Sequence, residues 1–164
     1  MEAQLSHLDA EGHARMVDVG AKDETLREAV ARGRVRMREE TFRLISSKGV
    51  PKGDVLGTAR VAGIQAAKRC AELIPMCHPL RLTGVDLSFI PGEDGRSLDV
   101  EARVRAQDRT GVEMEALTAV AVAALTIYDM CKAVDREMTL TDIRLLKKSG
   151  GKSGTFDREE EGPR

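Results

Sequence analysis

From Leu98 to Ala106 the chain alternates strictly. Leu98, Val100, Ala102, Val104 and Ala106 are apolar, and the residues between them, Asp99, Glu101, Arg103 and Arg105, are charged. Side chains on a strand point to opposite faces with a period of two, so this stretch predicts a strand with one face against a core. A second strand is predicted over Leu82–Ile90, joined to the first by the turn-rich Pro91-Gly92-Glu93-Asp94-Gly95. Arg34 to Arg38 repeats the alternation as Arg, Val, Arg, Met, Arg, and Met138–Leu146 reads as the last strand. Met16–Val19 reads as a short strand closed by Gly20.

Helical patterns fill the gaps. Glu39–Ser47 places Phe42 and Ile45 on one side, and the loop Ser46–Gly53 follows it. Asp54 is the expected N-cap of a helix whose Val55, Ala59, Ala62, Ala66, Cys70 and Leu73 recur at helical spacing. Pro75 and Pro79 then bracket Met76-Cys77-His78 in a stiff loop. Thr110-Gly111-Val112-Glu113 matches a capping box opening a helix to about Val134, with an apolar stripe from Leu117 through Ile127 to Cys131. The order strand, helices, strand, strand, helix, strand is that of an α+β fold: a ferredoxin-like antiparallel sheet packed against helices, with an N-terminal arm over residues 1–20. One domain is expected over 1–156, with a Gly/Lys-rich loop at 147–156 and a disordered acidic tail at 157–164.

Composition removes several classes of function. The 164 residues carry 26 basic and 27 acidic side chains, a net charge of −1, which argues against a nucleic acid or an anionic membrane as partner. Aromatic residues are 2% of the chain, too few for a base-stacking platform, and none lies in 98–106 where an RNA-recognition sheet needs them. A transmembrane helix needs about 20 apolar residues; the longest run, Leu117–Ile127, is shorter and contains Thr118 and Thr126. The N-terminus lacks the pattern of a signal peptide, so a cytoplasmic protein is expected. Cys70, Cys77 and Cys131 are odd in number and lack CxxC spacing, so no disulfide framework and no metal site is expected.

A few residues could carry chemistry. Asp129 and Lys132, three apart on a helix, can meet on one face. In so apolar a segment some burial is expected, which would make their protonation adjustable, although spacing alone favours an ordinary surface pair. Glu113 and Glu115 stand in the first turn of that helix, where carboxylates complement the dipole and by themselves signal nothing catalytic. His78 is presented accurately by its proline-bounded loop, and histidine is the residue type whose unperturbed protonation changes near neutral pH, while nothing nearby predicts a lowered pKa for Cys77. Arginines outnumber lysines 18 to 8, yet Lys48 with Lys52, Lys132, and Lys147, Lys148 and Lys152 gather in three places. The lysine-bearing loops could close over a polyanion or simply be solvated. Lys148–Ser153 imitates a Walker A loop, but Leu146 occupies its first glycine position, so it is not a P-loop.

Met16–Val19, Lys52–Asp54, Ala62–Lys68, Ile74–Leu80, Thr110–Leu117, Ala123–Val134 and Leu145–Gly154 together resemble, in register, the molybdenum cofactor biosynthesis protein C family, the cyclic pyranopterin monophosphate synthases. The resemblance implies conversion of 3′,8-cyclo-7,8-dihydroguanosine 5′-triphosphate to cyclic pyranopterin monophosphate with release of pyrophosphate. It implies a homohexamer, a trimer of dimers with active sites at a subunit interface, and no cofactor. It carries over Asp129, Lys132 and Lys52 as catalytic, and Met76, Cys77, His78, Met114 and Glu115 as binding the pterin-like nucleotide. Glu113, Arg27 and Lys148 join that pocket, and Lys152 is placed with Lys147 and Lys148 as a holder of the phosphates. On this reading Asp129 and Lys132 stand near His78 and the carboxylates at 113 and 115. The alternative from another class is a non-catalytic nucleotide sensor of the same fold.

Overall fold

Strict alternation builds the centre of the sheet. In the computed structural model, which describes residues 11–158, five strands run antiparallel: Thr25–Arg36 (β1), Leu82–Pro91 (β2), Ser97–Asp108 (β3), Thr139–Ser149 (β4) and Phe156–Asp157 (β5). Their order is β2-β3-β1-β4-β5. With helices between β1 and β2 and between β3 and β4, this is an α+β fold compatible with the ferredoxin-like arrangement. The register sets Ala29 against Val104, Ala31 against Ala102 and Val35 against Leu98, all buried on one face. The charged positions fall on the other face and pair across strands, as Arg32 with Glu101 at 2.7 Å and Arg34 with Asp99 at 2.6 Å.

Glu39–Ser46 (α1), Val55–Lys68 (α2), Cys70–Leu73 (α3) and Glu113–Cys131 (α4) complete the fold. α4 lies on β1, β3 and β4, while α2 packs against α4 and β2. By length and composition alone α4 could cross a membrane, but nine of its side chains are buried in this packing. Ile127 is 0% exposed, a burial worth about 1.5–3 kcal/mol. The two helices approach closely because their contact residues are small. A Cβ on Gly63 would lie 2.5 Å from Leu87 Cδ2 and 3.0 Å from the Ala119 carbonyl oxygen. Asp54 caps α2 as expected, its carboxylate accepting from the Gly57 amide at 2.9 Å.

Several elements differ from their sequence reading. Met16–Val19 is irregular rather than a strand. β1 begins nine residues before Arg34, because Thr25–Gly33 hides its alternation: Val30 is buried on the charged face and Arg27 on the apolar one. The expected stripe from Val55 to Leu73 breaks at Arg69, which leaves helical geometry, and Leu73 is 57% exposed. The capping box is not formed: Val112 is the N-cap of α4 and no side chain caps it. α4 stops at Cys131, where the amides of Val134 and Asp135 both turn back to the Cys131 carbonyl. Lys147 and Lys148 belong to β4 rather than to a loop, since Asp157 and Phe156 pair with them and lengthen the strand. Residues 1–10 of the arm and 159–164 of the tail lie outside the described residues.

Candidate functional site

The C-terminal end of α4 carries one charged cluster. The chain after α1 turns sharply, with the Gly49 amide bonded to the Leu44 carbonyl at 2.8 Å and Val50 buried. This turn delivers Lys52, whose Nζ donates to Asp129 Oδ2 at 3.1 Å and to the Asp129 carbonyl at 2.9 Å. Lys132 Nζ meets Asp129 Oδ1 at 2.7 Å from the other side. One carboxylate therefore holds two ammonium groups. Hydrogen bonds from Lys132 and then Lys52 hold the Asp129 carboxyl below its ordinary range, and the Asp129 bond raises Lys132. The burial expected from the sequence does not occur in this subunit. Ile127 and Cys131 share the inward face of α4, whereas Asp129 and Lys132 point outward, at 57% and 52% side-chain exposure.

The other end of α4 is built into the sheet. Arg27 is 7% exposed and donates to three carbonyls: Nε to Asp108 at 3.3 Å, Nη1 to Gly150 at 3.2 Å and Nη2 to Arg109 at 3.2 Å. It lines a cleft of about 640 Å³ together with Lys22, Arg109, Lys148 and Lys152. Asp23, Glu28 and Glu113 face the same space, so the cleft keeps an excess of positive charge. Lys148 Nζ meets Glu113 Oε1 at 3.3 Å and Ser153 Oγ at 3.1 Å. This ion pair occupies the carboxylate that the capping box would have turned toward the backbone. Gly150, at φ +98°, permits the loop to close: a Cβ there would run into the Leu26 carbonyl oxygen and the Arg27 side chain. Thr25 Oγ1 and Arg109 Nε are buried in the cleft wall without a hydrogen-bond partner.

A second cleft of about 520 Å³ shares Lys22, Thr110, Gly111 and Glu113 with the first. Met76, Cys77, His78, Met114 and Glu115 line it, so both the proline-bounded loop and the start of α4 serve one space. His78 Nε2 lies 2.7 Å from the Val17 carbonyl. A carbonyl can only accept, so that nitrogen carries the proton and Nδ1 remains for other use. Burial pushes the Cys77 thiol up, and the neighbouring Glu115 charge adds to the shift. Cys77 is thus a poor nucleophile here. Burial likewise raises Glu115, which is 3% exposed. Cys70, against Thr118 at 3.6 Å, is pushed up to about 12 by burial.

The twelve candidate residues therefore fall into two groups. Arg27, Met76, Cys77, His78, Glu113, Met114, Glu115, Lys148 and Lys152 surround the joined clefts. Lys52, Asp129 and Lys132 do not. Asp129 is sixteen residues beyond Glu113 on α4, roughly 24 Å along the axis at about 1.5 Å per residue. The expectation that Asp129 and Lys132 stand near His78, Glu113 and Glu115 fails within this chain, because the length of α4 separates them. Sequence reasoning also missed Lys22, Thr25 and Arg109, which line the large cleft, and the carbonyl of Val17. Lys22 stands alone in the sequence, outside the lysine clusters that drew attention, and nothing in its spacing marked it. Among the described residues, no three His, Cys, Asp or Glu side chains are grouped to hold a metal ion.

Fold and site define a small α+β protein with a cation-lined cleft opening into a partly apolar one. A model of the MoaC family matches residues 16–151. The chain is 64% identical over 157 residues to the cyclic pyranopterin monophosphate synthase of Pelotomaculum thermopropionicum, covering 96% of this chain and 92% of that protein. The proteins of the same name from Chloroflexus aggregans and Thermomicrobium roseum are 64% and 62% identical, covering 96% and 97% of this chain and 95% and 96% of theirs. The chain belongs to the MoaC family.

Proposed function

We propose that this enzyme converts 3′,8-cyclo-7,8-dihydroguanosine 5′-triphosphate to cyclic pyranopterin monophosphate, releasing pyrophosphate, in molybdenum cofactor biosynthesis. The observation that carries the reading is the pair of joined clefts at the start of α4. The larger supplies Arg27, Lys148, Lys152 and Lys22 for a triphosphate. The smaller supplies His78, Glu115 and the flexible apolar Met76 and Met114 for a polar, flat ring system. Closure of the cyclic phosphate forms a bond from a hydroxyl oxygen to the α-phosphorus and breaks the bond to the departing pyrophosphate. The cations lining the larger cleft stabilise the charge gathering on that leaving group.

Ring opening and closure need protons moved repeatedly, and Lys52 and Lys132 are assigned as the acids and bases. The Asp129 carboxylate keeps the Lys132 ammonium protonated and makes it a weaker proton donor than a free lysine. For Lys132 to act as a base, Asp129 must be drawn away or neutralised. Because one subunit holds this cluster some 24 Å from its own clefts, the active site is completed by a neighbouring subunit's α4 end, within a cytoplasmic homohexamer of ferredoxin-like subunits. No nucleic acid has a part in this reading.

Purified protein incubated with the cyclic dihydroguanosine triphosphate should release pyrophosphate; absence of release refutes the reaction. The shared site is tested by mixing. Lys132→Ala and His78→Ala are each expected to be inactive, and co-assembly of the two should restore roughly one quarter of the sites, since half the subunits supply each intact end. No recovery from a mixed oligomer would refute completion of the site by a neighbouring subunit.

A further inference from the structure

The Lys52–Asp129–Lys132 cluster is exposed and joins two segments far apart in sequence. Lys132 belongs to the same helix end as Asp129, so its place follows from α4. Lys52 does not: it arrives at the end of a loop after α1 and reaches α4 with two hydrogen bonds to Asp129. Something must hold α1 and its loop against the end of α4. Surface ion pairs seldom do so by themselves.

Asp135 stands at that junction. Its amide bonds the Cys131 carbonyl at 3.0 Å, which fastens it to the last turn of α4. Its carboxylate, 1% exposed, reaches the start of α1, ninety-seven residues back in sequence. Oδ2 accepts the Arg38 amide at 2.9 Å and the Thr41 hydroxyl at 3.0 Å. Oδ1 accepts the Glu137 amide at 3.1 Å and faces Arg38 Nε at 3.4 Å. The Arg38 guanidinium also bonds the Val134 carbonyl. Although burial opposes ionisation, the Arg38 amide and the Thr41 hydroxyl hold the carboxyl below its ordinary range. A charged, fully satisfied carboxylate at this depth locks its neighbours in a single arrangement. Thr41 is itself 1% exposed, and Ile45 and Val50, between it and Lys52 in sequence, are buried in the hydrophobic core.

We propose that Asp135 is a positioning residue for the acid–base cluster: by clamping the start of α1 to the end of α4, it holds Lys52 in register with Asp129 and Lys132. The inference rests on the catalytic reading of that cluster. Its own claim is that Asp135 acts through Lys52.

Asp135→Asn preserves shape but removes the charge and one acceptor oxygen. It should lower kcat for pyrophosphate release by about ten- to a hundredfold, the scale of a displacement near 1 Å. KM should stay within about twofold, because the triphosphate binds at the far end of α4. Thr41→Val should show a weaker form of the same split, and Thr41→Ser should restore wild-type kcat. Thr41→Val keeps the test decisive if Asp135→Asn does not fold. On a Lys52→Arg background, which already disturbs the contact with Asp129, either substitution should add little further loss. Wild-type kcat in the folded variants, or full additivity with Lys52→Arg, overturns the proposal. If Lys132→Ala itself turns over normally, the catalytic reading falls first; if only Lys132→Ala is inactive, the positioning role alone falls.

Discussion

The two ends of α4 solve opposite problems with the same residue types. At the start, Arg27 and Glu115 are buried and Lys148 is only 27% exposed; the carbonyls of Asp108, Arg109 and Gly150 hold Arg27, and Glu113 and Ser153 hold Lys148. At the finish, Lys52, Asp129 and Lys132 stand 43–57% exposed and hold chiefly each other. A buried cation surrounded by carbonyls, as Arg27 is, stays fixed in place and suits binding, since it need not reorganise when a polyanion arrives. Ammonium groups on long stems around one carboxylate can exchange partners and protons, which suits chemistry once another surface covers them. On the proposed reading, the exposed cluster is the part of the active site that a neighbouring subunit completes.

The contrast is broken most directly by Lys132→Ala. Its expected effect is a loss of about 10²–10⁴ in kcat with KM nearly unchanged, measured by pyrophosphate release in the folded oligomer. A variant that instead raised KM and kept kcat would move Lys132 to the binding end. Lys148→Ala sharpens the other side: KM should rise by about tenfold, as for loss of one charge-assisted hydrogen bond, with a smaller change in kcat.

Glu115→Gln tests the difference in burial and has the smallest effect. A carboxyl whose folded pKa is raised by burial binds its proton more tightly in the folded state. The folded protein is therefore penalised as pH rises past the ordinary glutamate value of 4.5, and fully so above the raised value. Glu115→Gln should raise the melting temperature by a few degrees at pH 8, at about 2–4 °C per kcal/mol, and by nothing near pH 4. Asp129→Asn, at the exposed end, should leave thermal stability almost unchanged at both pH values. Equal stabilisation by the two substitutions would erase the distinction between a buried and an open carboxylate.

Much of the sheet was legible because the alternation of Leu98–Ala106 admits one structure. The cap at Asp54 was legible for a similar reason, being a local interaction within one turn. β1 was half hidden, since Arg27 and Val30 each lie on the face that their chemistry argues against. The capping box failed because Glu113 has a better partner in Lys148, thirty-five residues away, and no local pattern registers such competition. Lys22, Thr25 and Arg109 were invisible: they matter through the cleft they line, and each looks ordinary in its own stretch of chain.

Period and spacing, being properties of neighbours along the chain, determined by themselves that this protein makes an antiparallel α+β sheet and that Asp129 meets Lys132. They also assembled the chemical vocabulary of phosphate binding and proton transfer. Which groups share a space was decided only in three dimensions, because a nineteen-residue helix carries its two ends apart whatever their chemistry. Packing of Arg27 under the glycine loop made one end a buried receptor, and the outward turn of α4 left the other in solvent.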